Sequence, residues 1–285
     1  MRLITYRSPT GPRVAATQNG VCVDLNHADP NIPCCIKAFL AQGAEGLRHA
    51  ANALLVGKPV PTEELELLPV IPKPEKIICV GLNYADHARE SGMAIPTEPV
   101  IFNKFSSTVR AHGQSIVLPC VSSEVDYEAE LVAVIGVGGH CIPKSRAREH
   151  VAGYCCGIDV SARDWQLRKP GGQWLLGKSF DTFAPIGPAL LTADKIPDPG
   201  NLDIQLRLNG QVMQHSNTAQ FIFPVADLVS YVSQVCTLVP GDLIFTGTPP
   251  GVGFARKPPV FLQPGDSVEV EIEQVGILRN RVVAE

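Results

Sequence analysis

The chain has 285 residues, 45% of them hydrophobic, and a formal net charge of −4. That length suits one large domain or a small one joined to a main one, with ample apolar content for a core. The charge leaves no basic footprint for nucleic acid or anionic lipid, and no run approaches the ~18 consecutive apolar residues of a membrane span.

The 25 prolines and 25 glycines suit a β-rich α+β fold better than a helical bundle. Nine cysteines, an odd number with no C-x-x-C spacing, read as free thiols in a reducing compartment. Cys79, Cys155 and Cys236 sit in apolar surroundings and read as small core hydrophobes. The start of the chain has no secretory apolar region. Arg2, Arg7 and Arg13 precede the first acid, Asp24, in the manner of a transit peptide, but Arg2–Tyr6 reads as a strand and therefore as folded protein. The expectation is a cytoplasmic protein, or one of the mitochondrial matrix if a leader has been removed.

In chain order, strands are expected at 2–6 and 13–25, the latter folded into a hairpin at Asn19-Gly20. A helix follows at about 34–55, then a short strand at Glu64–Leu68. Pro69, Pro72 and Pro74 mark the end of a small N-terminal α/β domain, 1–70, before a main domain, 71–285. Ile77–Val80 is a short apolar strand. Tyr84–Ser91 makes two helical turns, and Val100–Asn103 is another strand. The stretch 124–136 alternates strictly and reads as a strand. A short helix is expected at 144–150 and a strand at 154–160. Ser161 to Asp164 has the form of a capping box opening a helix that runs through Arg168. A second hairpin turns at Asn209-Gly210, an amphipathic helix spans 225–236, and strands at 243–245 and 268–272 each follow a Pro-Gly-Asp turn.

The stretch 124–136 carries the most chemistry. Val125, Tyr127, Ala129, Leu131, Ala133 and Ile135 share one face; Glu124, Asp126, Glu128 and Glu130 share the other, followed by Val132 and Val134. Like charges so close repel, and buried carboxylates need a cation. Glu128 and Glu130, nearest the apolar end, are expected to be the most buried. Their Cα atoms are roughly 6–7 Å apart along a strand, so both can turn toward one divalent ion. On the strand alone, a solvated acidic edge explains the pattern equally well. Asp159, at the far end of the next strand, is a candidate third ligand. Arg163 and Gln166 lie three apart on one helical face. Lys178 follows in Gly177-Lys178-Ser179-Phe180. His87 and Glu90 lie three apart on the helix at 84–91 and can touch. Thr246 to Gly253 is a Gly-rich loop whose backbone N–H groups can approach an anion.

Together, Glu128-x-Glu130, Asp159-Val160-Ser161-Ala162-Arg163-Asp164-x-Gln166, Gly177-Lys178-Ser179-Phe180-Asp181 and Thr246-Gly247-Thr248-Pro249-Pro250-Gly251-Val252-Gly253 resemble the motifs of the fumarylacetoacetate hydrolase superfamily, from Lys76 to about Val283. The resemblance implies a β-roll with a catalytic metal in its mouth, usually in a homodimer. It implies that Glu128, Glu130 and Asp159 hold Mg²⁺, with Mn²⁺ as a substitute; an all-carboxylate set suits a hard cation and argues against zinc or copper. It further implies that Lys178 is the active-site lysine, that His87 and Glu90 form the pair on a mobile lid, and that Arg163, Gln166 and Thr248 contact substrate. The founding enzyme takes a further aspartate ligand from the segment before its lid. Here that segment reads Gly81-Leu82-Asn83-Tyr84, which speaks against fumarylacetoacetate itself as substrate. The activity expected is hydrolysis of a C–C bond in acylpyruvate-type 2,4-diketo acids through an enolate. Alternatives are oxaloacetate decarboxylation or enol–keto tautomerisation, cleavage of 2,4-diketo-3-deoxy sugar acids, and a catalytically silent homologue that only binds metal or 2-oxo acid.

Overall fold

The computed structural model describes residues 1–62, 65–90, 92 and 94–285. The chain begins with three strands, β1 (Arg2–Ser8), β2 (Gly11–Gln18) and β3 (Val21–Asp24), then helices α1 (Leu25–Ala28), α2 (Ile36–Ala41) and α3 (Gly43–Val56). Next come β4 (Ile77–Gly81), α4 (Ala85–Glu90), β5 (Val100–Lys104), β6 (Val109–Arg110), β7 (Ile116–Leu118), β8 (Val125–Asp126) and β9 (Ala129–Ile135). After β10 (Val151–Ile158) and β11 (Ser161–Ala162) lie α5 (Arg163–Arg168) and α6 (Trp174–Lys178). The chain closes with β12 (Ala184–Thr192), β13 (Asp203–Leu208), β14 (Gln211–Asn217), α7 (Val225–Ser233), β15 (Leu243–Phe245), β16 (Ser267–Ile272) and β17 (Gly276–Ala284).

The strands form a ten-stranded sheet in the order β3-β2-β1-β12-β10-β9-β15-β4-β5, with β6 beside β12, and a five-stranded sheet in the order β14-β13-β16-β17-β7. β11 and β8 form a separate two-stranded pair. This is the β-rich α+β fold expected. Both hairpins turn where their Asn-Gly pairs stand. Asn19 and Gly20 take φ of 52° and 79°, and Asn209 and Gly210 take 53° and 83°, the positive values that a type I′ turn requires.

Several expected elements differ in detail. The helix expected at 34–55 is two, α2 and α3, because Gly43 at φ +56° breaks the ladder. The 124–136 strand is also two, β8 and β9, interrupted at Tyr127-Glu128. The capping box does not form. Ser161 lies in β11 and its Oγ donates to the Asp159 carbonyl, so Ala162, with no side-chain bond, stands at the start of α5. The strand expected at Glu64–Leu68 lies partly outside the described residues. Of it, Leu67 bridges Tyr6 and Leu68 N–H donates to Thr5 O. Ser91, the expected end of the lid helix, also lies outside them.

The expected apolar face of the acidic stretch is real. Val125, Tyr127, Ala129, Leu131, Ala133 and Ile135 all join one core cluster with residues of the five-stranded sheet and α7. Val132 and Val134 face a second cluster that holds Leu3, Val14 and Phe39 from the N-terminal segment. Thus β9 is buried on both faces, and Glu130 is carried into the interior by its strand. The N-terminal strands extend the same sheet, since β1 pairs antiparallel with β12 through Arg2↔Leu191 and Leu3↔Leu190. The nine cysteines are all free thiols; Cys79 and Cys155 are buried and Cys236 is partly so. Among the described residues no helix is long and apolar enough to cross a membrane.

Candidate metal centre and active site

Two neighbouring strands deliver three carboxylates to one point. Glu130 is on β9, Glu128 immediately precedes it, and Asp159 immediately follows β10, the antiparallel neighbour of β9. The register sets Gly157 opposite Glu130 and Ile158 opposite Ala129, and Asp159 N–H donates to Glu128 O at 2.9 Å. One oxygen from each carboxylate lies within 4.8 Å of the others. All three side chains are buried, so the reading of a solvated acidic edge is excluded for this end of the stretch.

A ring of cations surrounds them. Lys178 Nζ lies 2.8 Å from Glu128 Oε2 and 2.9 Å from Asp159 Oδ2. Gly177 makes that approach possible, since a Cβ there would meet the Gln166 backbone nitrogen at 2.6 Å. Arg163 clamps Glu128 at 2.6 Å and Asp126 at 2.8 Å, and donates to Gln166 Oε1 at 2.9 Å. By its place on the strand Asp126, like Glu124, reads as an outer acid, solvated or salt-bridged; it is salt-bridged but not outer. It is fully buried and also accepts the N–H groups of Gly253 and Phe254 at 2.7 and 3.0 Å. Glu124 is the outer acid, paired with Arg168 at 2.6 Å.

Lys104, at the end of β5, is the site residue that sequence reasoning missed. Its ammonium is buried, 2.6 Å from Asp159 Oδ1, and donates to the carbonyls of Val160 and Lys178. The available signal was a lysine inside the apolar run Val100-Ile101-Phe102-Asn103-Lys104-Phe105.

The electrostatics follow from these contacts. Burial works to raise the Glu128 carboxyl, but Lys178 and Arg163 outweigh it and pull it down to about 2. Glu130 is pushed well above the usual carboxylate range by burial and by the neighbouring Asp159 and Glu128. Burial lowers the Lys104 ammonium, and Asp159 offsets this only in part. Four buried carboxylates, Asp126, Glu128, Glu130 and Asp159, thus face three buried cations, Lys104, Arg163 and Lys178. The excess negative charge bears on Glu130, and a divalent cation among the three carboxylates would balance it. Asp159 Oδ1 is held by the Lys104 ion pair at 2.6 Å without a partner of hydrogen-bond geometry, which leaves lone pairs for a further contact. An all-oxygen donor set of this charge fits a hard ion such as Mg²⁺ or Mn²⁺.

The Gly-rich loop at 246–253 does bind anions, but they are the protein's own carboxylates. Gly247 N–H donates to Glu130 Oε2 at 2.7 Å, Gly251 to Glu90 Oε2 at 3.2 Å and Gly253 to Asp126 Oδ1 at 2.7 Å. Gly247 sits at φ +100°, where a side chain would be strained. Helix α4 lies against this loop. His87 Nδ1 is 3.2 Å from Glu90 Oε2, so one carboxylate oxygen joins the imidazole to Gly251. Asn83, in the segment before α4, is fully occupied. It donates to Thr246 O and Phe223 O and accepts from Phe223 N–H.

His87, Glu128, Arg163, Gln166, Lys178 and Thr248 together line a cavity of about 460 Å³, within the ~300–1,000 Å³ usual for small-molecule sites. Glu130 and Asp159 adjoin it through Glu128, and Glu90 through His87. Thr248 is fixed by an N–H donated from Gln214 at 2.9 Å.

A β-rich fold with a buried carboxylate triad, an adjacent lysine and a His–Glu pair over one cavity defines the class, and the sequence profile described as "Fumarylacetoacetate (FAA) hydrolase C-terminal" matches residues 76–283. The chain belongs to the fumarylacetoacetate hydrolase family. Among its relatives is the Bos taurus protein named oxaloacetate tautomerase FAHD2A, mitochondrial, 49% identical over 288 residues, which cover 99% of this chain and 92% of that one. Among solved structures, a putative HpcE protein from Mycobacterium smegmatis superposes with a TM-score of 0.89 at 40% identity, covering 100% of this chain and 99% of that one. Maleylpyruvate hydrolase from Sphingobium sp. SYK-6, in complex with manganese(II) ion and pyruvate, superposes with a TM-score of 0.81 at 32% identity over 100% of this chain and 99% of that one.

Proposed function

We propose that the protein is a metal-dependent enzyme that interconverts the enol and keto forms of oxaloacetate. The observation that carries this reading is the buried triad Glu128, Glu130 and Asp159 with Lys178 seated on two of its members. The tautomerase relatives at 49% identity support the choice of substrate. Glu128, Glu130 and Asp159 would hold Mg²⁺ or Mn²⁺, which supplies Lewis-acid polarisation of the keto oxygen of a 2-oxo acid. Lys178 places a fixed positive charge beside the oxygen where enolate charge develops, an effect that needs no reorganisation during the reaction. His87 carries the proton to and from C3, and Glu90 holds the imidazole in position. Arg163, Gln166 and Thr248, on the cavity wall, contact the substrate. The unit is proposed to be a homodimer.

Hydrolysis of acylpyruvates, placed first on the sequence alone, becomes the second reading. The His87–Glu90 pair on the cavity wall favours it, because such a pair can equally activate a water. The test is to follow ketonisation of enol-oxaloacetate, and pyruvate release from acylpyruvates, with Mg²⁺ and after chelation. Wild type should accelerate the first reaction only with metal, and Glu128→Gln should reduce it to the buffer rate. Full activity in Glu128→Gln would sink the metal assignment. Pyruvate release without tautomerisation would promote the second reading.

A further inference from the structure

The cavity is larger and more apolar than a four-carbon diacid requires. Beside the polar residues of the site, its lining includes Leu82, Phe102, Leu167, Trp174 and Phe254. Phe102 and Trp174 meet edge to face, their centroids 5.4 Å apart at 74°, and the Phe102 ring lies 5.2 Å from Lys178 Nζ. The aromatic wall therefore starts beside the lysine assigned to the enolate. It continues to the mouth, where Leu167 and Phe254 remain 45% and 43% exposed. Leu82 is held at φ +51°, a conformation a non-glycine residue adopts at a cost and one that clusters at functional sites. The adjoining Asn83, pinned by three backbone bonds, holds it there.

The charges point the same way. The cationic side chains that line the cavity are Arg163 and Lys178, and both already pair with carboxylates at 2.6–2.9 Å. Among the described residues no further cation lines it to receive a second substrate carboxylate. Large apolar side chains left half-open around a cavity are a feature of ligand sites.

We propose that this wall takes an apolar or aromatic substituent on C3 of a 2-oxo acid, and that the protein tautomerises such arylpyruvate-type acids as well as oxaloacetate. The proposal rests on the tautomerase reading above. In the ketonisation step the enol O–H bond breaks, a C–H bond forms at C3, and the C=C pair becomes the C–H bond as C–O becomes C=O. One proton leaves oxygen, one arrives at carbon, and no oxidant or reductant is used.

The experiment compares ketonisation of enol-phenylpyruvate and enol-oxaloacetate by the full chain with Mg²⁺. It is repeated with Leu167→Arg and Phe254→Arg, two exposed positions where a cation is sterically admissible, each checked for native circular dichroism. Wild type is expected to accelerate both reactions. Each variant should shift the ratio of kcat/KM values at least tenfold toward oxaloacetate. Acceleration of oxaloacetate with phenylpyruvate at the buffer rate would overturn this proposal and leave the tautomerase reading standing. Acceleration of both with an unchanged ratio in both variants would overturn the assignment of the wall. No acceleration of either would overturn the tautomerase reading and this proposal with it.

Discussion

Lys104 carries its charge where solvent does not reach, held by an ion pair with Asp159 Oδ1 and by hydrogen bonds to the carbonyls of Val160 and Lys178. It thereby ties a proposed metal ligand to the backbone of Lys178, the proposed catalytic lysine, so one side chain positions two others. Breaking one member of a buried ion pair strands the other, typically at about 3–5 kcal/mol. Lys104→Met should lose that much in urea unfolding of the metal-free protein. Added Mg²⁺ should recover part of the loss, because it neutralises the stranded Asp159. The metal-induced rise in Tm should then be larger in the variant than in wild type. A loss under ~1 kcal/mol would mean that the pair does not bear on stability.

Helix α4 is held at its polar side by single contacts that cross to other elements. Glu90 accepts from Gly251 N–H, Arg89 donates to Gln220, and Ser216 donates to Asp86. Each is a hydrogen bond worth about 1 kcal/mol net, so the opening that the proposed lid role asks of α4 would cost little on this side. Glu90→Ala removes both the tie to Gly251 and the brace on His87. It should speed hydrogen exchange across 85–90, barely change the global Tm, and cut kcat by roughly 10²–10⁴, the usual worth of a general acid–base group. Unchanged kcat would remove the His87–Glu90 pair from the chemistry. At this scale the sequence was legible where one local pattern decides the structure. Period-two alternation placed the apolar face of 125–135 correctly, and the Asn-Gly pairs set both hairpins. It was not legible where tertiary contacts decide. Strand β12 contains Pro185, Gly187 and Pro188 and looks like a loop, yet it is buried along nearly its whole length between β1 and β10. Ser161 has the local form of a helix cap, but pairing of β11 with β8 claims it instead. Asp126 could not be distinguished from Glu124 by position, because the burial that separates them comes from Arg163 and the 253–254 backbone, distant in sequence. Lys104 was hidden for the same reason.

The whole molecule couples its first strands to the site. A boundary near residue 70 remains our proposal for where the N-terminal segment ends, but that segment shares both a sheet and an apolar cluster with the catalytic part. Leu3, Val14 and Phe39 pack in one cluster with Val132 and Val134 of β9, the strand that carries Glu130, and with Phe245, which leads into the Gly247 loop. Removing residues 1–70 would uncover this cluster and leave β12 with an open hydrophobic edge, a template for aggregation. The fragment 71–285 is therefore expected not to fold alone. The full chain should unfold in a single calorimetric transition, and Mg²⁺, binding only the native state, should raise its midpoint in proportion to the logarithm of free ion. Because the two segments share one core, the ion should slow hydrogen exchange in β1 and β2 as well as in β9. Two resolved transitions, with Mg²⁺ protecting β9 and leaving β1 unchanged, would show instead that the N-terminal segment folds as a unit of its own and that its contacts with β9 carry no coupling.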